Sequence, residues 1–182
     1  TGRYRDQWHT MTRTGLSPTL SQHRREPLLE IHPADAAQRG LSDGGLARVE
    51  SAAGASIFRV TLSPAQRPGE LFVPMHWTDI MAGEGRANHL PLQVTDPVSG
   101  QPAFKNTAAE VTAVVPEWRA FLACRRAPAL PPMLYWSRAR VAHGWLYELA
   151  GEGAFDPASV LPGGSQLEAA DLARGMRRIV AI

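Results

Sequence analysis

The first fifteen residues of the chain collect the side chains that proteins use to hold phosphate groups. Three arginines, four threonines and a Trp-His pair lie among them, and Asp6 is the one acidic residue of the segment. Forked guanidiniums and hydroxyls donate hydrogen bonds to phosphate oxygens. Gly2 and Gly15 would let backbone N–H groups approach a ligand closely. The segment therefore predicts a loop that binds a polyanion.

The same segment resembles a known family. Thr1-Gly2-Arg3, followed by Gln-Trp-His-Thr and Met-Thr-Arg, is similar to the dinucleotide-binding segment of molybdopterin oxidoreductases of the dimethyl-sulfoxide-reductase family. Within that family the chain is most similar to bacterial assimilatory nitrate reductases. The resemblance covers about residues 1–115, and several collinear matches are more specific than one motif. The further stretches are Glu30–Pro33 with Asp35-Ala36, Gly40–Gly44, Phe72–Trp77, Asn88, and Asp96-Pro97 through Gln101-Pro102 to Lys105.

The resemblance implies a function for the whole enzyme and a part of it for this chain. Such an enzyme reduces nitrate to nitrite at molybdenum held by two molybdopterin guanine dinucleotides, and this domain covers the cofactor while the cofactor performs the chemistry. The protein ligand to molybdenum and the cysteines of an iron-sulfur cluster belong to upstream segments. The chain alone is therefore expected to be inert and to hold no catalytic residue. The implied partners are upstream domains of the same polypeptide, an electron donor and nitrate, and the implied location is the cytoplasm.

Ten residues are the main candidates for the site, and two more are weaker candidates. Asn88 precedes Lys105 by seventeen positions, the separation found in the resembling proteins, and Lys105 is the chain's only lysine. His76 and Trp77 fall where the family forms part of the substrate funnel, although Trp77 equally fits a core position. Arg5 and Arg13 are weaker candidates because salt bridges would explain them as well. The implied cofactor contacts are Thr1, Gly2, Arg3, Trp8, His9, Thr10, Asn88 and Lys105.

Other functions stay open at this point. The stretch between Trp77 and Asn88 is longer than in periplasmic nitrate reductases and favours the assimilatory type. The same domain of a formate dehydrogenase or of another oxyanion reductase also fits. A stand-alone double-psi barrel that binds protein partners would explain the fold but not the Thr-Gly-Arg segment.

Composition excludes several classes of protein. The chain has 182 residues, of which 44% are hydrophobic, and its net charge of +2 is too small to indicate a nucleic-acid binder. The sequence has no run of eighteen apolar residues, so no membrane span is predicted. The single cysteine, Cys124, excludes an internal disulfide, and the six histidines show no metal-binding spacing. The chain opens inside a motif without a methionine, which suggests a fragment of a longer protein.

Short strands and tight turns predict a mainly β domain over residues 1–116. A strand is predicted at Pro27–Ile31, followed by a helix that begins at Pro33 and ends at Gly40. Alternating residues predict a hairpin of Leu46–Ser51 with Ala55–Leu62. Further strands are expected at Glu70–Met75 and Ala108–Val115, and a flexible excursion at 82–86. This pattern favours a closed barrel, and the resemblance implies a double-psi β-barrel with short helices.

The remainder of the chain is expected to be a linker and an appendage. Prolines mark a linker over residues 117–132. A small α+β appendage is expected over 133–182. It is predicted to comprise a strand at Leu134–Val141, a helix at Gly144–Ala150, a helix from the capping box at Ser165 through Arg174, and a closing strand at Ile179–Ile182. No chemistry is predicted there, and docking onto the barrel or onto upstream domains is the expected use.

Overall fold

The described residues form ten strands in two five-stranded sheets of a computed structural model. It describes residues 1–156, 159–160, 167–172 and 176–181, with the side chains of the last two segments left undescribed. One α-helix, α1 (Pro33–Gln38), and two 3-10 turns, Thr14–Leu16 and Ala87–His89, accompany the sheets. The strands are β1 (Leu28–Ile31), β2 (Leu46–Ser51), β3 (Gly54–Leu62), β4 (Leu71–Phe72), β5 (Glu110–Val114), β6 (Trp118–Cys124), β7 (Tyr135–Val141), β8 (Gly144–Gly151), β9 (Leu167–Leu172) and β10 (Met176–Ala181).

The first sheet has the strand order β4-β1-β3-β2-β5. β1 runs parallel to β3, with Leu28 opposite Arg59, while the other neighbours are antiparallel. Leu29, Ile31, Phe58 and Val60 are buried between this sheet and α1. The mainly β prediction is confirmed. The prediction of a closed barrel was wrong. In the part of the chain that the structure describes, β4 and β5 are two separate edges, so the sheet is open.

Local signals explain α1 and the turn behind it. His32 caps the helix, its Nδ1 atom accepting the Ala34 N–H at 3.2 Å, and Pro33 occupies the first helical position. The chain leaves the helix through Gly40 at φ +64°. The predicted β1, α1 and β2–β3 hairpin are confirmed within one or two residues, whereas the strand expected at Glu70–Met75 is reduced to β4.

The second sheet has the order β7-β8-β6-β10-β9 and corrects three expectations. Gly144–Ala150 is not a helix but part of β8, which pairs with both β6 and β7. The second predicted helix is β9 over 167–172, paired with β10; the capping residues Ser165 and Gln166 lie outside the described residues. The predicted linker contains β6, a central strand of this sheet. The strands expected at Leu134–Val141 and near the end of the chain are confirmed as β7 and β10, with Ile182 undescribed.

A buried ion network joins the two sheets. The Arg59 guanidinium donates to both carboxylate oxygens of Glu26 at 2.8 Å and also binds Glu148 of β8. Its Nη1 donates to the Gly44 carbonyl at 2.6 Å, and the Tyr135 hydroxyl donates to Glu26 at 3.0 Å. Because one buried cation satisfies carboxylates from both sides, the network fixes how the two sheets meet.

Candidate functional site

The start of the chain adds a short strand-like contact beside β4. Gly2 bridges Pro74 in parallel, and the Met75 N–H donates to the Gly2 carbonyl at 3.0 Å. A Cβ atom on Gly2 would lie 2.6 Å from the Phe72 ring. The backbone can therefore come this close to the sheet only because the residue has no side chain.

His76 holds the first loop, residues 1–15, at two points. The Tyr4 N–H donates to His76 Nε2 at 2.8 Å, so Nε2 carries no proton. Nδ1 must then carry the proton, and it donates to the His9 carbonyl at 2.7 Å. The side chain is fully buried. Burial lowers the pKa of His76, and although the bond to His9 opposes this, Arg3 and His9 lower it further. The neutral ring therefore ties the loop to the sheet.

The loop contains two residues in the left-handed backbone region. His9 has φ +44° and Met11 φ +59°. Such values are uncommon for residues other than glycine and are kept only when surrounding contacts determine them. Backbone bonds of 2.9 Å from Met11 N–H to the Trp8 carbonyl and from Gly15 N–H to the Met11 carbonyl close the two turns.

A small polar network stabilises the turn from inside. The Thr14 hydroxyl donates to Gln7 Oε1 at 2.8 Å and accepts the Trp8 N–H at 3.2 Å. The Gln7 amide donates in turn to the Leu20 carbonyl at 3.4 Å. These hydroxyl and amide groups bind the loop itself, so they are not the donors available to a ligand.

The tip of the loop presents donors to solvent. Trp8 is 60% exposed, and the Arg3 guanidinium lies 5.0 Å from its ring centroid. The His9 ring meets Trp8 edge to face at 4.4 Å. His9 and Thr10 are exposed as well. Arg3, Trp8, His9 and Thr10 are thus all exposed at this end of the loop.

Thr1 and Lys105 lie on a cleft of about 610 Å³ beside β4. The Thr1 hydroxyl donates to the Phe104 carbonyl at 2.9 Å. Phe72 and Leu90 give the cleft an apolar wall, and Lys105 supplies an exposed positive charge at its edge. The volume is within the range of small-molecule and cofactor sites.

The remaining candidates do not meet at that cleft. Asn88 is exposed on the 3-10 turn that leads to Leu90, a cleft residue, but does not line the cleft itself. His76 and Trp77 are buried, so neither side chain faces open solvent in this chain. Trp77 packs with Tyr4, Met11 and Met81 under the loop. The described residues contain no cluster of His, Cys, Asp or Glu that could hold a metal ion.

Sequence reasoning missed the residues that hold the loop in place. Tyr4 packs against Phe72 and Trp77 at 5.9 Å, and Met11 is buried although a loop position favours exposure. Their partners lie about seventy positions away, and no local pattern reports contacts at that separation. The apolar Met11 between two polar threonines was the one local sign in the sequence that this part of the loop packs against the core. No helix in the described part of the chain combines the length and apolar character that membrane crossing requires.

Comparison with known proteins identifies a family that covers the first loop and most of the first sheet. Residues 1–108 match the family described as the Molydopterin dinucleotide binding domain. A nitrate reductase of Klebsiella oxytoca is 50% identical over 152 residues, which are 83% of this chain and 17% of that protein. The assimilatory nitrate reductase catalytic subunit of Bacillus subtilis (strain 168) is 33% identical over 111 residues, 61% of this chain and 15% of that protein.

A solved structure shows a similar fold. The acetylene hydratase from Pelobacter acetylenicus aligns with a TM-score of 0.52 at 19% identity, covering 61% of this chain and 17% of that one. At that identity the likeness concerns the fold alone. The chain spans about one sixth of the length of the curated relatives described above. Since the family match covers more than half of the chain, this protein belongs to the Molydopterin dinucleotide binding domain family.

Proposed function

We propose that this chain is the cofactor-binding domain of a molybdenum oxidoreductase that reduces nitrate to nitrite. The observation that carries the proposal is the 50% identity to a nitrate reductase along most of the chain. The chain would hold molybdopterin guanine dinucleotide, and the bound cofactor would supply oxygen-atom and electron transfer. The residues of the chain position the cofactor and neutralise its phosphates.

The donor set fits a dinucleotide. A diphosphate needs cations and hydrogen-bond donors, and the first loop offers Arg3, His9 and Thr10 at an exposed tip. A nucleoside needs a partly apolar recess with a few polar groups, and the cleft offers Thr1 and Lys105 beside Phe72. The two surfaces are linked by Gly2, which the β4 contact fixes in place.

Several finer features belong to the same proposal. Residues 1–116 would be the cofactor domain, and the second sheet, which begins with β6, would be the appendage. Asn88 would contact the organic cofactor. His76 and Trp77 would shape the substrate funnel from below, by holding the loop rather than by touching nitrate. Upstream domains would supply the iron-sulfur cluster and the molybdenum ligand, an electron donor would reduce the enzyme, and the enzyme would be cytoplasmic.

A nucleotide titration tests the site. The chain is titrated with guanosine diphosphate while the amide signals of residues 1–15 and the side chains of Asn88 and Lys105 are followed by NMR. Saturable shifts confined to these positions support the proposed site. Shifts scattered elsewhere, or none at any concentration, contradict a preformed site in this chain.

A pair of charge variants sharpens the titration. Lys105→Gln removes the cation at the cleft, and we expect the affinity for guanosine diphosphate to fall about tenfold or more, because a charged hydrogen bond contributes about 1.5–3 kcal/mol. Arg126→Gln removes an exposed cation after β6 and outside the cleft, and it should leave the affinity unchanged. Equal losses in both variants would indicate only a general electrostatic attraction.

A further inference from the structure

The first loop packs against the second sheet as well as the first. Met11, Trp77, Met81 and Ala82 form a buried group, here called the methionine cluster, and Trp145 of β8 packs on it. β7 also lies against the 3-10 turn Thr14–Leu16 that ends the loop. The appendage therefore contacts the segment to which the phosphate-binding role is assigned.

The approach of the loop to the cluster is close. A Cβ atom on Gly15 would lie 2.5 Å from the Met81 Cε atom and 3.0 Å from the Met11 Cβ atom. Met11 itself is 3% exposed and has a left-handed backbone. Any side chain at position 15 would therefore force Met81 and Met11 to shift, so the end of the loop lies directly on the cluster.

Backbone hydrogen bonds attach the cluster to the second sheet. The segment 81–83 runs beside β7, with Ala82 bridging Ser137 in antiparallel fashion. The Arg138 N–H donates to the Met81 carbonyl at 2.9 Å, and the Gly83 N–H donates to the Trp136 carbonyl at 3.0 Å. The stretch predicted as a flexible excursion thus begins as an addition to the edge of β7.

Arg138 fixes the position of Trp145. Its guanidinium lies 4.3 Å from the Trp145 ring centroid, and Nη1 donates to the Tyr147 hydroxyl at 3.0 Å. Arg140 lies over the same ring at 5.2 Å. Guanidiniums over an indole are attracted by its quadrupole. The indole is therefore held in the place where it meets the methionine cluster.

From these contacts we propose that the second sheet is a brace for the first loop, and that Trp145 is a positioning residue for the phosphate-binding surface. His76 holds the loop from the first sheet, and Trp145 holds its other end through the methionine cluster. Both ends must be held for His9 and Met11 to keep their uncommon backbone angles. The relevance to cofactor binding rests on the proposed function, whereas the brace itself does not.

The brace has a consequence for affinity. If a fraction of molecules has the loop in another conformation, the apparent dissociation constant for a phosphate ligand rises in proportion to the loss of the competent form. Loosening the brace should therefore weaken binding without removing any group that touches the ligand.

Amide hydrogen exchange of the full 182-residue chain tests the brace without a ligand. In Trp145→Ala we expect the Met11 and Gly15 amides to exchange about tenfold faster or more, because local opening becomes easier when buried contacts are removed. The Val60 amide, bonded to the Gly45 carbonyl in the first sheet, should keep its wild-type rate. Trp145→Phe retains an aromatic ring and should restore most of the protection.

Trp118→Ala is the matched control. Trp118 is also a half-buried tryptophan of the second sheet, but it packs on Phe155, away from the methionine cluster. It should leave the Met11 and Gly15 amides unchanged. Unchanged loop amides in Trp145→Ala, or equal acceleration in Trp118→Ala, would overturn the brace. If Trp145→Ala does not fold, Arg138→Met decides by the same amides, since it removes the guanidinium over the ring and its hydrogen bond to Tyr147 but leaves Trp145 in place.

Guanosine diphosphate titration of the same variants separates the two claims. Weaker binding in Trp145→Ala with wild-type binding in Trp118→Ala supports the positioning role. Faster loop exchange in Trp145→Ala together with undetectable binding in the wild type keeps the brace and contradicts a preformed nucleotide site in this chain. Unchanged affinity in Trp145→Ala despite faster loop exchange rejects the positioning role.

Discussion

His76 Nδ1 donates to the His9 carbonyl at 2.7 Å and thereby connects two residues that are 67 positions apart. Its other ring nitrogen accepts the Tyr4 N–H, so one buried imidazole satisfies a donor and an acceptor of the same loop. The sequence resemblance implied a place near the substrate for this residue. Its geometry makes it the anchor of the loop that carries the proposed cofactor contacts.

Replacing the anchor should destabilise the protein. His76→Ala leaves the Tyr4 N–H and the His9 carbonyl without partners in a buried site, and we expect the free energy of unfolding to fall by about 3–5 kcal/mol. Urea denaturation measures the loss. His32→Ala is the control, since His32 makes one capping bond at the start of α1 and should cost about 1 kcal/mol. Equal losses would contradict the anchoring role.

Stability should depend on pH through the same ring. The pKa of His76 is lowered in the folded state, so between the ordinary histidine value of about 6.5 and the folded value the unfolded chain binds more protons. Stability is therefore complete above about pH 6.5 and decreases as the pH falls through that window. Urea titrations from pH 7.5 to 5 should show this decrease in the wild type.

The His76→Ala variant provides the comparison for the pH series. It lacks the ring, so the part of the pH dependence that arises from His76 should disappear. The same slope in variant and wild type would assign the dependence to other groups. Nitrogen chemical shifts at pH 7.5 should also show the proton on Nδ1.

The inter-sheet network gives a separate prediction. Arg59→Met leaves Glu26 and Glu148 without their shared cation, and we expect a loss of about 3–5 kcal/mol, as for other broken buried ion pairs. Arg48→Met is the control, because the Arg48–Glu50 pair is exposed and should contribute less than about 1 kcal/mol. Urea denaturation of both variants measures the difference, and a small loss for Arg59→Met would mean that the network does not hold the sheets together.

The first half of the fold was predictable because its signals are local. The alternating residues of β2 and β3 predicted the observed hairpin. Pro33 and Gly40 predicted where α1 begins and ends. The second half was less predictable. β9, Leu167–Leu172, reads Leu-Glu-Ala-Ala-Asp-Leu, a sequence with good helix formers, yet it pairs along its length with β10. Tertiary pairing outweighs local preference in such a segment.

In the candidate site too, some features had local signals in the sequence and others did not. The composition of the first loop indicated its exposed donors, and the structure exposes Arg3, Trp8, His9 and Thr10 together. The anchors could not be predicted, because His76 and Trp145 act through contacts with residues far away in sequence. Their types are ordinary for a core, and only the fold reveals which loop they hold.

The cofactor content of the longer enzyme shows directly whether Lys105 contacts the cofactor. Lys105→Gln is introduced into the longer enzyme in which this domain is proposed to reside, and the purified enzyme is assayed for molybdenum and for guanine nucleotide released by acid. We predict that both fall together relative to wild type and that nitrate reduction falls with them, while Arg126→Gln keeps full content. Full content of both in Lys105→Gln would contradict Lys105 as a cofactor contact, and the absence of guanine nucleotide from the wild-type enzyme would contradict the proposed molybdopterin guanine dinucleotide.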